Sequence, residues 1–83
     1  MLTTPVQSSN IASVAWAEAM LYVQFHHGGV YSYQGVPERV YHDMVAAPSV
    51  GKFFAAEVKP KFVAARVAGE MVAALGFTER IGA

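Results

Sequence analysis

The residues of this chain best suited to chemistry are the run Ser49-Val50-Gly51-Lys52 and the phenols of Tyr22, Tyr31 and Tyr33. At a helix start, free backbone N–H groups, a serine hydroxyl and a lysine ammonium make a seat for an anion. The Gly-x-x-x-x-Gly-Lys-Ser/Thr spacing of a P-loop is absent, and the plainer alternative is a capping serine beside a solvated lysine. Arg39 and Arg66 are further cations within the same chemistry. Tyr31 and Tyr33, with Trp16, offer flat rings of the kind that stack on a nucleobase; the alternative for them is core or subunit interface. The candidate ligand-binding set is Trp16, Tyr31, Tyr33, Arg39, Ser49, Gly51, Lys52 and Arg66.

Other chemistries are poorly served. His26 and His27 are adjacent, and neighbours on a strand point to opposite faces. No cysteine or carboxylate cluster accompanies them or His42, so no metal is expected. Ser8, Ser9, His42 and Asp43 are types a hydrolase uses, but there is no nucleophile elbow and no paired carboxylates. His42 and Asp43 sit about 100° apart on a helix and would not orient each other. The expectation is a protein with no catalytic residues and no cofactor. Arg66 and Glu70, at i and i+4, read as a helical surface pair.

The elements that must position these residues centre on Met20 to Val36, where two strand-like runs flank His26-His27-Gly28-Gly29. With His27 and Gly28 as a two-residue turn, Phe25 faces Val30, Val23 faces Ser32 and Tyr22 faces Tyr33. One face then carries Leu21, Val23, Phe25, Val30, Ser32 and Gln34. The other carries Met20, Tyr22, Gln24, Tyr31 and Tyr33, a patch of three phenols and an amide. A slip of one residue would exchange the faces.

Before the hairpin, Met1 to Ser9 reads as an arm. Ile11 to Trp16 reads as a strand with Ala12, Val14 and Trp16 on one face, although the run into Ala17-Glu18-Ala19-Met20 suits a helix equally well. Strand is preferred because a lone hairpin is marginal in water. After it, Pro37 fits the first position of a helix whose apolar face is Val40, Tyr41, Met44 and Val45, and Pro48 ends it. Ser49 caps the next helix, which Lys59-Pro60 interrupts because a residue before proline avoids the helical region. A helix from Pro60 to Leu75 follows, with a small-residue stripe of Ala65, Gly69 and Ala73 and with Gly76 as its stop.

Composition bounds the partners. Eighty-three residues make a single domain, 1–83, without cysteine. Hydrophobic residues are 54% and charged residues 14%, against roughly 25% charged in an average soluble domain. So small a chain cannot bury all that apolar surface in itself, and a homo-oligomer is expected. No apolar run reaches the ~18–20 residues of a spanning helix, and no basic-then-apolar leader opens the chain, so no membrane and a cytoplasmic location are expected. Six Lys plus Arg balance six Asp plus Glu, which argues against a long nucleic acid. If RNA were the partner, Arg39, Lys52, Lys59 and Lys61 would meet its phosphates.

Six pieces in order, Ser8-Ser9-Asn10-Ile11, Leu21-x-Val-x-Phe25, Gly29-Val30-Tyr31-Ser32-Tyr33, Gly35-Val36-Pro37-Glu38, Val40-Tyr41 and Ala47-Pro48-Ser49-Val50-Gly51-Lys52-Phe53-Phe54, carry a family likeness. They resemble the KTSC domain family, named after the C-terminal region of some lysyl-tRNA synthetases. The resemblance runs from about Gln7 to Phe62 and leaves 63–83 as a C-terminal helical extension. His27 departs from it, standing where the family often has the asparagine of an Asn-Gly turn. The resemblance implies a small domain found alone in bacterial and phage-type proteins or appended to a synthetase. It carries no established activity, although RNA binding has been suggested.

The fold expected is α+β, a small antiparallel sheet covered on one face by helices, with an added C-terminal helix. The function expected is a non-enzymatic, oligomeric binder of a nucleotide-like, phosphate-bearing ligand, such as a phage-type protein that sequesters a nucleotide signal. An RNA-binding module and a structural assembly protein are the alternatives.

Overall fold

The turn after Phe25 decides which side chains share a face. In a computed structural model, which describes residues 1–78, the Phe25 N–H donates to the Gly29 carbonyl at 3.1 Å and the Gly28 N–H to the Phe25 carbonyl at 3.0 Å. These bonds close a loop of His26, His27 and Gly28, with Gly28 at φ 96° and Gly29 at φ 87°. A two-residue turn at His27-Gly28 would need positive φ at His27, which a histidine adopts reluctantly. The chain instead spends its positive φ on the two glycines, in the three-residue loop with a glycine bulge.

The extra loop residue moves the register by one. Strands β3 (Met20–Phe25) and β4 (Val30–Gln34) pair Leu21 with Tyr33, Val23 with Tyr31, Tyr22 with Ser32 and Gln24 with Val30. The expected pairing is therefore corrected, and the side chains of β4 exchange faces relative to it. Tyr31 and Tyr33 join Leu21, Val23 and Phe25. Tyr22 is left on the opposite face with Gln24, Ser32 and Val30, so the three phenols do not form one patch.

The fold is α+β, with an antiparallel sheet of five strands in the order β1-β2-β3-β4-β5. Strand β2 (Ile11–Ala17) pairs with β3 through a turn at Glu18 and Ala19, which settles the strand-or-helix ambiguity at 11–17. A bulge between Ile11 and Ser13 places Ile11, rather than Ala12, with Val14 and Trp16 in the larger core cluster. Within the expected arm, Thr4–Pro5 forms β1 at the sheet edge, where proline's missing N–H costs no ladder bond.

One face of the sheet is covered by α1 (Glu38–Ala46), α2 (Val50–Phe53) and a π-helical turn, Phe54–Val58, that continues α2. Pro37 sits one residue before α1 rather than at its first position. Ala47 leaves the helix at ψ 144° ahead of Pro48, as a residue before proline tends to. Leu21, Val23 and Val36 are fully buried beneath these helices, in one cluster with Met44 of α1 and Val58 of the π-helical turn, also fully buried. Trp16 packs at the margin and donates its indole N–H to the Val36 carbonyl at 2.8 Å.

The expected helix over Pro60–Leu75 is corrected. Ala64–Arg66 is a fifth strand, β5, paired with β4, and only Gly69–Ala74 is helical (α3). Alanine favours helix, yet the open edge of β4 offers ladder partners that outweigh propensity: Gln34 N–H donates to Val63 O and Val67 N–H to Val30 O. The stripe of Ala65, Gly69 and Ala73 is thereby split between a strand and a helix. Arg66 and Glu70 are no longer one helical turn apart.

Gly76 stops α3 as expected. It has φ 98°, and the N–H groups of Gly76 and Phe77 return to Ala73 and Val72, the Schellman ending. That ending folds Phe77 against Val72, and with Val67 and Leu75 they cover Ala15, Tyr22 and Val30 on the second face. Gln24, 3% exposed, accepts from Ser13 Oγ at 2.9 Å and donates to the Thr78 carbonyl at 2.5 Å. The remainder of the expected C-terminal extension, 79–83, lies outside the described residues.

Candidate functional site

Bringing Tyr31 and Tyr33 onto the helix-covered face builds a site beside the β3–β4 loop. An open cleft of about 790 Å³ is walled by Phe25, His27, Tyr31, Tyr33, Phe54 and Phe62, with Asn10, Ile11, Gly51, Ala55, Lys59 and Ala64 completing it. This volume is in the range of small-molecule sites. The rings hold one another edge to face: Phe25 with Tyr31 at 5.8 Å, Phe25 with Phe54 at 5.8 Å and Tyr33 with Phe54 at 5.5 Å. His27 lies flat on Phe25, 6.1 Å between centroids and 8° from parallel. Such packing fixes a preformed apolar wall.

The polar part of the rim is built by the N-terminal segment. Ser8 Oγ accepts from the N–H groups of Asn10 and Ile11, each at 3.2 Å. The Asn10 carbonyl accepts from His26 N–H at 2.8 Å, and His26 Nε2 lies 2.8 Å from the Ser8 carbonyl oxygen. This ties the Ser8–Asn10 turn to the β3–β4 loop. Gly51 packs against that turn, since a Cβ there would stand 3.3 Å from Ser8 Oγ.

Of the residues expected to bind ligand, the structure brings Tyr31, Tyr33 and Gly51 together in the cleft lining. Ser49 caps α2, its hydroxyl accepting from Lys52 N–H at 3.3 Å, so part of the expected anion seat serves the helix itself. Lys52 is exposed one residue beyond Gly51, outside the lining, and Arg39 is exposed on α1. Trp16 is half-buried at its bond to Val36. Arg66, on β5, lies over the Tyr31 ring at 5.8 Å from its centroid, a cation–π contact.

The residues that sequence reasoning passed over as site residues are Asn10, Phe25, His27, Phe54, Lys59 and Phe62. Phe25 and Phe54 were legible as apolar positions, but the sequence places them on separate elements. Lys59 was legible only as a surface cation ahead of a helix breaker. His26 and His27 belong to the loop rather than a strand, and among the described residues no three His, Cys, Asp or Glu side chains gather as a metal site. His42 lies 3.3 Å from Glu38 on the exposed face of α1, with its ring 5.4 Å from that of Tyr41.

Tyr33 carries a pH dependence. Burial raises its phenol above the ordinary 10.0, and the neighbouring Tyr31 adds to the rise. The unfolded chain thus ionises first, so the contribution is fully present below the unfolded value and lost as pH climbs through the higher folded one. The urea midpoint is expected to fall further between about pH 9 and about pH 11 in the wild type than in Tyr33→Phe. Equal falls would show that the phenol is not shielded.

The KTSC domain model matches residues 7–62. The chain belongs to the KTSC domain family. A curated protein of Tsukamurella paurometabola is 42% identical over 60 residues, covering 70% of this chain and 90% of that one. The crystal structure of a KTSC domain protein from Yersinia pestis superposes with a TM-score of 0.77 at 38% identity, covering 81% of this chain and 97% of that one. The matched segment contains every described residue of the cleft lining except Ala64. Strand β5, with Arg66, and α3 lie beyond it. In this KTSC domain the second face of the sheet is thus closed by residues outside the family match.

Proposed function

We propose that this KTSC domain is a non-enzymatic binding protein whose aromatic cleft takes a small nucleotide-like ligand bearing a phosphate. The observation that carries the reading is the lining itself: among the described residues, six rings, a lysine, an amide and no carboxylate. A ring stacked on an aromatic wall is worth roughly 1–3 kcal/mol in single-strand binders, and a charge-assisted hydrogen bond adds about 1.5–3 kcal/mol. A few such terms yield micromolar binding when the wall is preorganised. Sequestration of a nucleotide signal in the cytoplasm, as a phage-type protein would perform it, is the form of the function that needs binding and no catalysis. Among the described residues no helix is long and apolar enough to cross a membrane.

Calorimetry against nucleosides, mono- and dinucleotides, ADP-ribose derivatives, cyclic nucleotides and single-stranded RNA tests the reading. Heat from a ring-bearing phosphate, with RNA weak at physiological salt, is the expected result. Tight, salt-sensitive RNA binding would favour the RNA-binding module instead.

The domain is also proposed to work as a homo-oligomer. Supporting this, Val63 is 67% exposed and Met71 47% exposed, before and after the edge strand β5, and exposed apolar side chains of this kind mark surfaces that associate. Sedimentation is expected to give an assembly at micromolar concentration, and a stable monomer would contradict it.

A further inference from the structure

We infer that Lys59 is the anion contact of the cleft and that the ligand is a planar ring carrying a single phosphate group; this rests on the cleft reading above. The reason lies in the π-helical turn. In a regular α-helix, five residues would carry Lys59 about 140° around from Phe54. Here the Lys59 N–H closes onto the Phe54 carbonyl, five residues back, at 2.9 Å. The wider turn buries Val58 completely and brings Lys59 into the same lining as Phe54 and Ala55. Wide turns of this kind recur at functional sites.

Pro60 accounts for the turn. Its ring would collide with the carbonyl four residues back in a regular helix, and it has no N–H to donate. The expectation that Lys59 leaves the helical region ahead of the proline is therefore corrected. Lys59 stays helical at φ −55° and ψ −45°, and the helix widens instead.

Charge then sets the ligand class. Among the described residues Lys59 is the one Lys or Arg in the lining, and no Asp or Glu joins it. Neighbouring Lys61 is engaged with Glu57 at 2.8 Å, whereas among the described residues no carboxylate lies within ion-pair distance of Lys59. Arg66 is held over the Tyr31 ring and lies outside the lining, so the lining's one described cation rewards the first phosphate. A second phosphate extends into solvent, where an exposed ion pair contributes little.

The test is calorimetry of the full chain with adenosine, adenosine 5′-monophosphate and adenosine 5′-diphosphate, repeated with the guanine, cytosine and uracil series. For at least one base, the monophosphate is expected to bind roughly tenfold or more tighter than the nucleoside. The diphosphate should gain less than about threefold over the monophosphate. Lys59→Met should abolish the monophosphate's advantage over the nucleoside. Ala55→Glu, at an exposed lining position, should shrink that advantage too by placing a carboxylate beside the lysine. Nucleosides that bind as tightly as their monophosphates, a K59M variant that keeps the phosphate preference, or a diphosphate preferred by tens of fold would overturn this inference and leave the cleft reading standing. No binding by any nucleoside or nucleotide would overturn both.

Discussion

Replacing Leu21 by alanine is expected to cost about 2–5 kcal/mol of stability. Leu21 is fully buried, sits in the middle of the sheet opposite Trp16 and Tyr33, and belongs to the cluster that α1 and α2 cover. Removing it takes away the transfer energy of its methyl groups and leaves a cavity that neighbours on a hydrogen-bonded sheet cannot close. A chain of this length has a total stability on the order of 4–12 kcal/mol, so L21A should lower the urea midpoint by a large fraction with little change in slope. Val72→Ala, on the face closed by the C-terminal segment, should cost less, about 1–2 kcal/mol for two lost methyl groups. An L21A midpoint equal to that of the wild type would contradict the burial described.

The largest effect on binding is expected from Ala55→Trp. Ala55 lines the cleft yet is exposed on the π-helical turn, so an indole there fills the space between the aromatic walls without entering the core. Stability should stay within about 0.5 kcal/mol of the wild type, while affinity for a ring-bearing phosphate falls about tenfold or more. This variant is a cleaner probe than Tyr33→Ala. Tyr33 is 5% exposed and braced by Phe54, so its truncation would damage the fold along with the site. Unchanged affinity in A55W would place the ligand elsewhere.

Much of the architecture was legible in the sequence because local chemistry and tertiary need agree there. Pro37, Pro48 and Ser49 punctuate the helices, and the alternation Leu21, Val23, Phe25 marks the core face of β3. The register of β4 was not legible, because His26-His27-Gly28-Gly29 permits a two-residue or a three-residue loop, and a single residue of difference turns Tyr31 and Tyr33 over. The β2–β3 turn was hidden for a related reason. Glu18 and Ala19 adopt φ 51° and 65°, a conformation that asparagine and glycine normally signal. Strand β5 was masked by alanines whose helical propensity yields to the open edge of β4. Tyr31, Tyr33 and Gly51 stood out by residue type, and they line the cleft. Lys59 was not, since its place in the cleft depends on a helical turn that widens ahead of Pro60.

The most direct test of the central claim is titration of the folded wild-type chain with nucleotides in a calorimeter, with Ala55→Trp as the matched control. The account predicts saturable heat for a ring-bearing phosphate at micromolar Kd, weakened about tenfold or more in the control. Absence of heat from every nucleoside and nucleotide, in a sample that unfolds cooperatively, would contradict it and leave assembly as the better reading of the aromatic face.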